Sequence, residues 1–202
     1  MTGHGQWKAG YKMKEITDKE LKEVLRKHSK WLECISEEPS VWLKPSKEIE
    51  KCGEEGERAN LSGVNLKGKN LRKVNLSRAI LYGANFEGAD LSRADLSGAT
   101  IMGVSLVGAD LFKVNLRGAD LSFSNLSETD LTRADLSSTN LSGTDLSEAN
   151  LSGAYLYRAN LYKADLSRAN LFGAYIVCAD FLGVDINSIK NFPNRNKQRG
   201  DT

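Results

Sequence analysis

Histidine is nearly absent from this 202-residue chain: there are two, His4 and His28, and both lie before residue 59. No serine, cysteine or metal centre in the remaining two-thirds can therefore draw on an imidazole, which argues against a hydrolytic triad or a zinc site. Cysteine is scarce too. Cys34, Cys52 and Cys178 are odd in number and unevenly spaced, unlike a secreted disulfide framework, and are read as thiols in a reducing compartment. Charge of one sign is lacking, with 28 Lys+Arg against 26 Asp+Glu and a net charge of +2. Neither direct nucleic-acid binding nor attachment to an anionic membrane is expected. No apolar run approaches the roughly 18 residues of a membrane span, and MTGHGQWKAGYKMKEITDKE has no signal-peptide core. A cytoplasmic location is expected.

What the chain has in abundance is a period of five. From Leu61 to Ile186 every fifth residue is apolar, 26 positions without a register slip. Of these 21 are Leu, the others being Phe86, Ile101, Ile176, Phe181 and Ile186. Two residues before each stands a small side chain in 25 of the 26 units, Lys69 being the exception. Immediately before it stands Asn or Asp in 21, the exceptions being Ile80, Thr100, Ser105, Tyr155 and Tyr175.

Five residues advance an α-helix by about 500°, which would smear the leucines around the cylinder. An odd spacing on a strand would put them on alternate faces. The remaining solution is a chain that turns a corner in every repeat, with Asn, Asp and Gly at the corners and leucines on a common axis. Val64, Val74, Val104, Val114 and Val184 are separated by multiples of ten. Lys73, Arg93, Lys113 and Arg133 recur every twenty, as do Asp90, Asp110 and Asp130, and Tyr155 with Tyr175. These coincidences favour a four-sided coil of twenty residues. The expected core stack includes Leu61, Leu66, Leu71, Leu76, Leu81, Phe86, Leu91, Leu96, Ile101, Leu111, Leu131, Leu151 and Phe181.

The phrase ADLSRADLSGA at 89–99, and the units from Ala59 to about Ser188, resemble the pentapeptide-repeat family, whose pattern is A(D/N)LXX. The resemblance implies an all-β solenoid, a right-handed four-sided β-helix with the central Leu or Phe stacked inside and the small residue tucked beside it. About 6.5 coils are expected, with a short N-terminal α-helical cap. Lys69 breaks the pattern, so either the first coil is distorted or its ammonium escapes toward the end.

Residues 1–58 are expected to form the cap, 59–189 the β-helix, and 190–202 a basic, disordered tail. In TDKELKEVLRKHSKWLECI, Thr17 and Glu20 fit a capping box, while Leu21, Val24, Leu25, Trp31, Leu32 and Ile35 make a helical stripe. This predicts a helix from about Asp18 to Ile35 lying on the first coil. A loop with Pro39 and Pro45, with Val41 and Trp42 docked, would lead into the repeats. Phe181, Leu182, Val184, Ile186, Ile189 and Phe192 are expected to seal the far end. His28 is read as an ordinary polar helix residue.

No catalytic, metal or cofactor site is expected, and the chain is read as a non-enzyme. Function would then lie on the shell. The Lys73, Arg93, Lys113, Arg133 column beside Asp90, Asp110 and Asp130 is read as mutually neutralised. Another side carries Glu128, Asp145, Glu148, Asp165 and Asp185, interrupted by Arg168, and KGKNLRK makes the first coil basic. Exposed apolar residues carry more information, because a corner has no folding need for them. Tyr155, Tyr157, Tyr175 and Val177 fall on one side of adjacent coils, with Phe172 and Tyr162 on the flanking sides, and form the candidate protein interface. Ile80, Tyr82, Met102 and Val107 make a weaker group. The leading function is a scaffold binding a protein partner, or itself as a homodimer, through these faces. The alternative, implied by the resemblance, is a DNA mimic that binds a type II topoisomerase such as gyrase. It requires dense negative charge, whereas residues 59–189 hold 13 acidic and 12 basic side chains.

Overall fold

A computed structural model describes residues 13–36 and 58–193. Expectations about the loop with Pro39 and Pro45, the docking of Val41 and Trp42, the side chains of Cys34, Ile35 and Cys52, and the tail after Pro193 lie outside the described residues.

The repeats form a β-solenoid. Single parallel bridges link each corner residue to the one twenty later, as in Asn60↔Ile80, Asn65↔Asn85, Asn70↔Asp90 and Asn75↔Asp95, and continue through Asn160↔Asp180. Four bridge columns therefore run along the molecule, one per side. Short bridges rather than long strands follow from a turn in every unit: the amide three residues after each central leucine donates back to it, as in Val64 N–H to the Leu61 carbonyl at 3.2 Å.

The backbone amides of one repeat can be followed individually. The central residue and the residue two beyond it donate forward to the next coil, as Leu61 does to Ile80 and Gly63 to Tyr82. The corner residue donates backward, as Asn85 does to Val64, and the small residue closes the turn. One amide remains, that of the residue just after the central leucine. Here the sequence's Asn and Asp act: at all 21 such positions the side-chain Oδ1 accepts the N–H two residues on. The corner carboxamides and carboxylates thus complete the main chain's hydrogen bonding as Asx turns.

The third position of each turn has a left-handed φ, the conformation of a type II turn. Glycine occupies twelve of these positions at φ between 60° and 81°. Thirteen others carry side chains, among them Lys73, Arg93, Phe123, Ser138 and Cys178, at φ between 54° and 61°. Each costs roughly 1–2 kcal/mol relative to a right-handed conformation. Ser138 is exposed, so removing its side chain isolates this strain. Ser138→Gly is expected to stabilise the protein by about 0.5–1 kcal/mol after the glycine's extra unfolded-state freedom is counted, read as a raised urea midpoint.

The interior is filled by the period-five residues. Leu61, Leu66, Leu71, Leu76, Leu81, Phe86, Leu91, Leu96, Ile101, Leu111, Leu131 and Leu151 are all buried, each contributing roughly 1.5–3 kcal/mol of transfer free energy before entropy is counted. Most small-residue slots hold buried Ala or Val; four in the middle of the chain hold hydroxyls, and each hydroxyl has a partner. Thr139 Oγ1 donates to the Leu116 carbonyl at 2.8 Å and Thr144 Oγ1 to Leu121 at 3.1 Å. Ser124 Oγ donates to Ile101 at 2.8 Å, and Thr129 Oγ1 to Leu126 at 2.7 Å.

At the N-terminal end β1 (Lys14–Glu15) lies parallel to β2 (Val64–Asn65), with Lys14 opposite Val64. Helix α1 (Asp18–Ser36) follows. Its start is the reciprocal capping box: Thr17 N–H donates to Glu20 Oε2 at 2.8 Å and Glu20 N–H to Thr17 Oγ1 at 3.2 Å. Leu21 is buried, and Ile16, Val24 and Leu25 pack against the solenoid core, while Trp31 and Leu32 are half-buried. Lys69 stays in register, its backbone joined to Leu66 and Asp90, and its ammonium reaches out of the slot to Asp18 Oδ1 at 2.6 Å. Of the two expected outcomes at this position, the escape of the ammonium is the one observed.

At the other end the repeat gives way to a 3₁₀ helix, Ile186–Ser188, capped by Asp185. Two sequence expectations need correction here. Ile186 is 46% exposed and Leu182 66% exposed, so neither seals the interior. The change from a corner to a helical turn swings Ile186 outward. Ile189, buried at 8% exposure, takes an inner place instead, and Phe181 meets Phe192 edge-on at 5.4 Å. Phe181 is itself only partly buried, because no full coil stacks beyond it.

Candidate interaction surface

The residues predicted to form an interface are all exposed. Tyr155 and Tyr175 face each other across the Tyr155↔Tyr175 bridge, their rings stacked at 4.9 Å with planes 4° apart. That separation matches the rung spacing of roughly 4.8 Å, so the solenoid's own repeat sets the stack. Tyr157 and Val177 lie two residues further along the same two coils, and Tyr162 and Phe172 sit on the neighbouring sides, Phe172 at 69% exposure. Arg158 and Lys163 place their cations over the Tyr157 and Tyr162 rings at 5.1 and 5.0 Å. The thiol of Cys178, also exposed, belongs to the same side.

Each departure from the corner rule is followed two residues on by an apolar or aromatic side chain, although Tyr162, Phe172 and Leu182 hold the same place after intact corners. Where Asn or Asp is replaced, at Ile80, Thr100, Ser105, Tyr155 and Tyr175, the residue two on is Tyr82, Met102, Val107, Tyr157 and Val177. All five are apolar or aromatic, whereas this position is mostly Ser, Thr or charged elsewhere. Loss of the Asx acceptor and gain of an outward apolar side chain therefore occur together, giving two clusters. Tyr82 is 58% exposed, while Ile80, Met102 and Val107 are intermediate.

Among the described residues, Lys73, Arg93, Lys113 and Arg133 make no ion pair with Asp90, Asp110 or Asp130. Those carboxylates are engaged with the amides of Ser92, Phe112 and Thr132. The hydroxyl and amide of Ser92 hold the Asp90 carboxyl below the usual aspartate range, with Arg72 adding a smaller effect. Elsewhere on the shell Lys67 pairs with Glu87 at 2.7 Å and Arg168 with Glu148 at 3.1 Å, exposed contacts worth at most about 1 kcal/mol.

Two features escaped sequence reasoning. Phe123 occupies a left-handed corner at 67% exposure, with its ring against Gly143 one coil on, where an added Cβ would come within 2.9 Å. An aromatic in a place otherwise given to glycine, charged residues, Ser or Cys was the available signal. His28 is fully buried between α1 and the first coil, and no sequence pattern distinguished it from the exposed polar residues around it.

Among the described residues no cluster of His, Cys, Asp and Glu could hold a metal ion. No helix among them is long and apolar enough to cross a membrane.

No curated protein matches the sequence. Among solved structures the chain is similar to HetL, a pentapeptide repeat protein involved in heterocyst differentiation regulation from the cyanobacterium Nostoc sp. Identity is 29%, over 64% of this chain and 79% of that one, with a TM-score of 0.33. It is also similar to Rfr23 from the cyanobacterium Cyanothece, at 29% identity over 66% and 90% of the two chains, TM-score 0.33. Full-length QnrB1, a plasmid-mediated fluoroquinolone resistance protein, aligns at 21% identity over 67% and 79%, TM-score 0.32. The family profile for pentapeptide repeats matches in overlapping blocks at 57–93, 79–118, 115–153 and 149–187, eight copies in all. Those blocks span the four bridge columns and the filled interior, and the chain belongs to the pentapeptide repeat family.

Proposed function

We propose that this protein is a non-catalytic scaffold, a right-handed four-sided rod of about six and a half coils with α1 as its cap, that binds protein through its outer sides. Its principal contact surface is the side carrying Tyr155, Tyr157, Tyr175 and Val177, flanked by Tyr162 and Phe172, and the partner it fits first is a second copy of the chain. The observation that carries this reading is the half-exposed Tyr155–Tyr175 stack, built where two neighbouring coils lack Asn or Asp in the same bridge column. Large rigid aromatics concentrate at protein interfaces because they bury much area at low entropic cost. Folding gains little from leaving them in water.

The repeats' near-balance of 13 acidic and 12 basic side chains supports the scaffold reading over imitation of DNA, which needs dense negative charge.

The test is a Tyr155→Ser, Tyr175→Ser double variant examined by light scattering and circular dichroism. The wild type is expected to weigh more than a monomer and the variant to fall to monomer mass with unchanged secondary structure. An unchanged mass would remove the self-association form of the proposal.

A further inference from the structure

Among the described residues His28 is the one fully buried ionisable side chain. Both of its ring nitrogens bond to the backbone where the repeats begin. Nδ1 accepts the N–H of Ala59 at 3.1 Å. Nε2 must then carry the proton, and it donates to the Ser77 carbonyl at 3.1 Å. The tautomer is thus fixed by the main chain, and the ring stacks on Trp31 with centroids 5.5 Å apart.

We propose that α1 is a pH-operated lid on the first coil, latched by His28 and released when the ring takes a second proton. An imidazolium has no acceptor, so the amide of Ala59, a residue 2% exposed, would confront an N–H donor in a buried place. Among the described residues no carboxylate acts on the ring. The segment leading into the repeats presents Arg58, whose Nε donates to the Arg78 carbonyl. The first coil presents Ser77 and Arg78, and α1 itself carries Lys27 and Lys30 beside His28. Burial is the largest effect and holds the imidazole below its ordinary 6.5; the Ser77 carbonyl opposes this, and the Arg58 charge reinforces it.

The sign follows from linkage. The open lid binds a proton near pH 6.5 and the closed lid only lower, so the latch contributes fully above 6.5. That contribution is lost as pH falls through the closed-state value. Besides His28, α1 is tied to the first coil through contacts that include β1 on β2, the Asn65–Glu15 hydrogen bond, Leu21 with Ile16, Val24 and Leu25, and the Lys69–Asp18 pair. The coils beyond are bonded to one another without it.

Hydrogen exchange of the full chain at about pH 7.5 and about pH 5, corrected for intrinsic rates, tests this. Amides of 18–36 are expected to lose about tenfold or more of their protection at the lower pH while those of 81–171 keep theirs. His28→Gln should abolish that difference. An NMR titration of the wild type, with His4→Ala assigning the second histidine, should show His28 as the Nε2–H tautomer titrating below 6.5. Protection of α1 that holds at the lower pH, a His28 midpoint at or above 6.5, or a pH dependence surviving in His28→Gln would overturn the proposal. The titration decides the matter if the Gln variant does not fold.

Discussion

Leu111→Ala is expected to destabilise the rod by about 2–5 kcal/mol, one of the two largest effects of any single substitution proposed for this chain. Leu111 is wholly buried, with Leu91 and Leu131 of the adjacent coils equally inaccessible. Three carbons removed there leave a void that backbone bonds on both sides prevent from closing: Leu111 N–H is held by Asp130 at 2.8 Å and its carbonyl by Val114 at 3.0 Å. Because each coil touches only its neighbours, a weak central coil also loosens the coupling between the two halves of the rod. Urea unfolding should show a lower midpoint and a broadened transition. A loss under about 1 kcal/mol would mean the stack is not the source of stability.

The second large effect is overfilling. Ala134→Leu is expected to cost about 1–3 kcal/mol or more, measured in the same unfolding experiment. Ala134 is fully buried in a column with Val114 before it and Ala154 after it, and its carbonyl accepts the Tyr155 amide at 2.9 Å. A longer side chain cannot leave this slot, because coils lie above and below. Lys69 occupies the equivalent place in its own repeat without disturbing the ladder, but next to the lid, where its ammonium reaches Asp18. The contrast states the rule for the inner slot: size is limited by the presence of a coil on each side. A stability loss in Ala134→Leu indistinguishable from zero would contradict it.

Period five made the interior legible from the sequence. Its arithmetic excluded helix and strand, and columns such as Lys73, Arg93, Lys113 and Arg133 selected the twenty-residue bridge spacing that the structure contains. The role of Asn and Asp was legible only in kind: corner residues were expected, but their service to one particular amide depends on following every backbone donor to its acceptor. The far end was misread because Ile186 keeps the period-five pattern while the backbone abandons it, forming a 3₁₀ turn after Asp185, and because Leu182 takes the outward place that follows the central residue of every repeat. A pattern continues in sequence whether or not a further coil exists to bury it. His28 was illegible for the opposite reason. Its burial depends on contacts 31 and 49 residues away with backbone atoms, which carry no side-chain signature. The aromatic side was legible because corner positions have no folding need for large apolar side chains, so Tyr155, Tyr157, Tyr162, Phe172 and Tyr175 stand out among Ser, Gly and charged residues.

The bridges of this molecule never return to where they began, since each coil bonds onward to a new one rather than back to the first. A closed barrel has its strand number dictated by geometry; an open ladder has none. The extent of such a rod is therefore a property of its termini. Here that means β1 and α1 at one end, and Ile189 with Phe192 at the other. Whole multiples of twenty residues could be gained or lost between them without any surviving column changing its partner type.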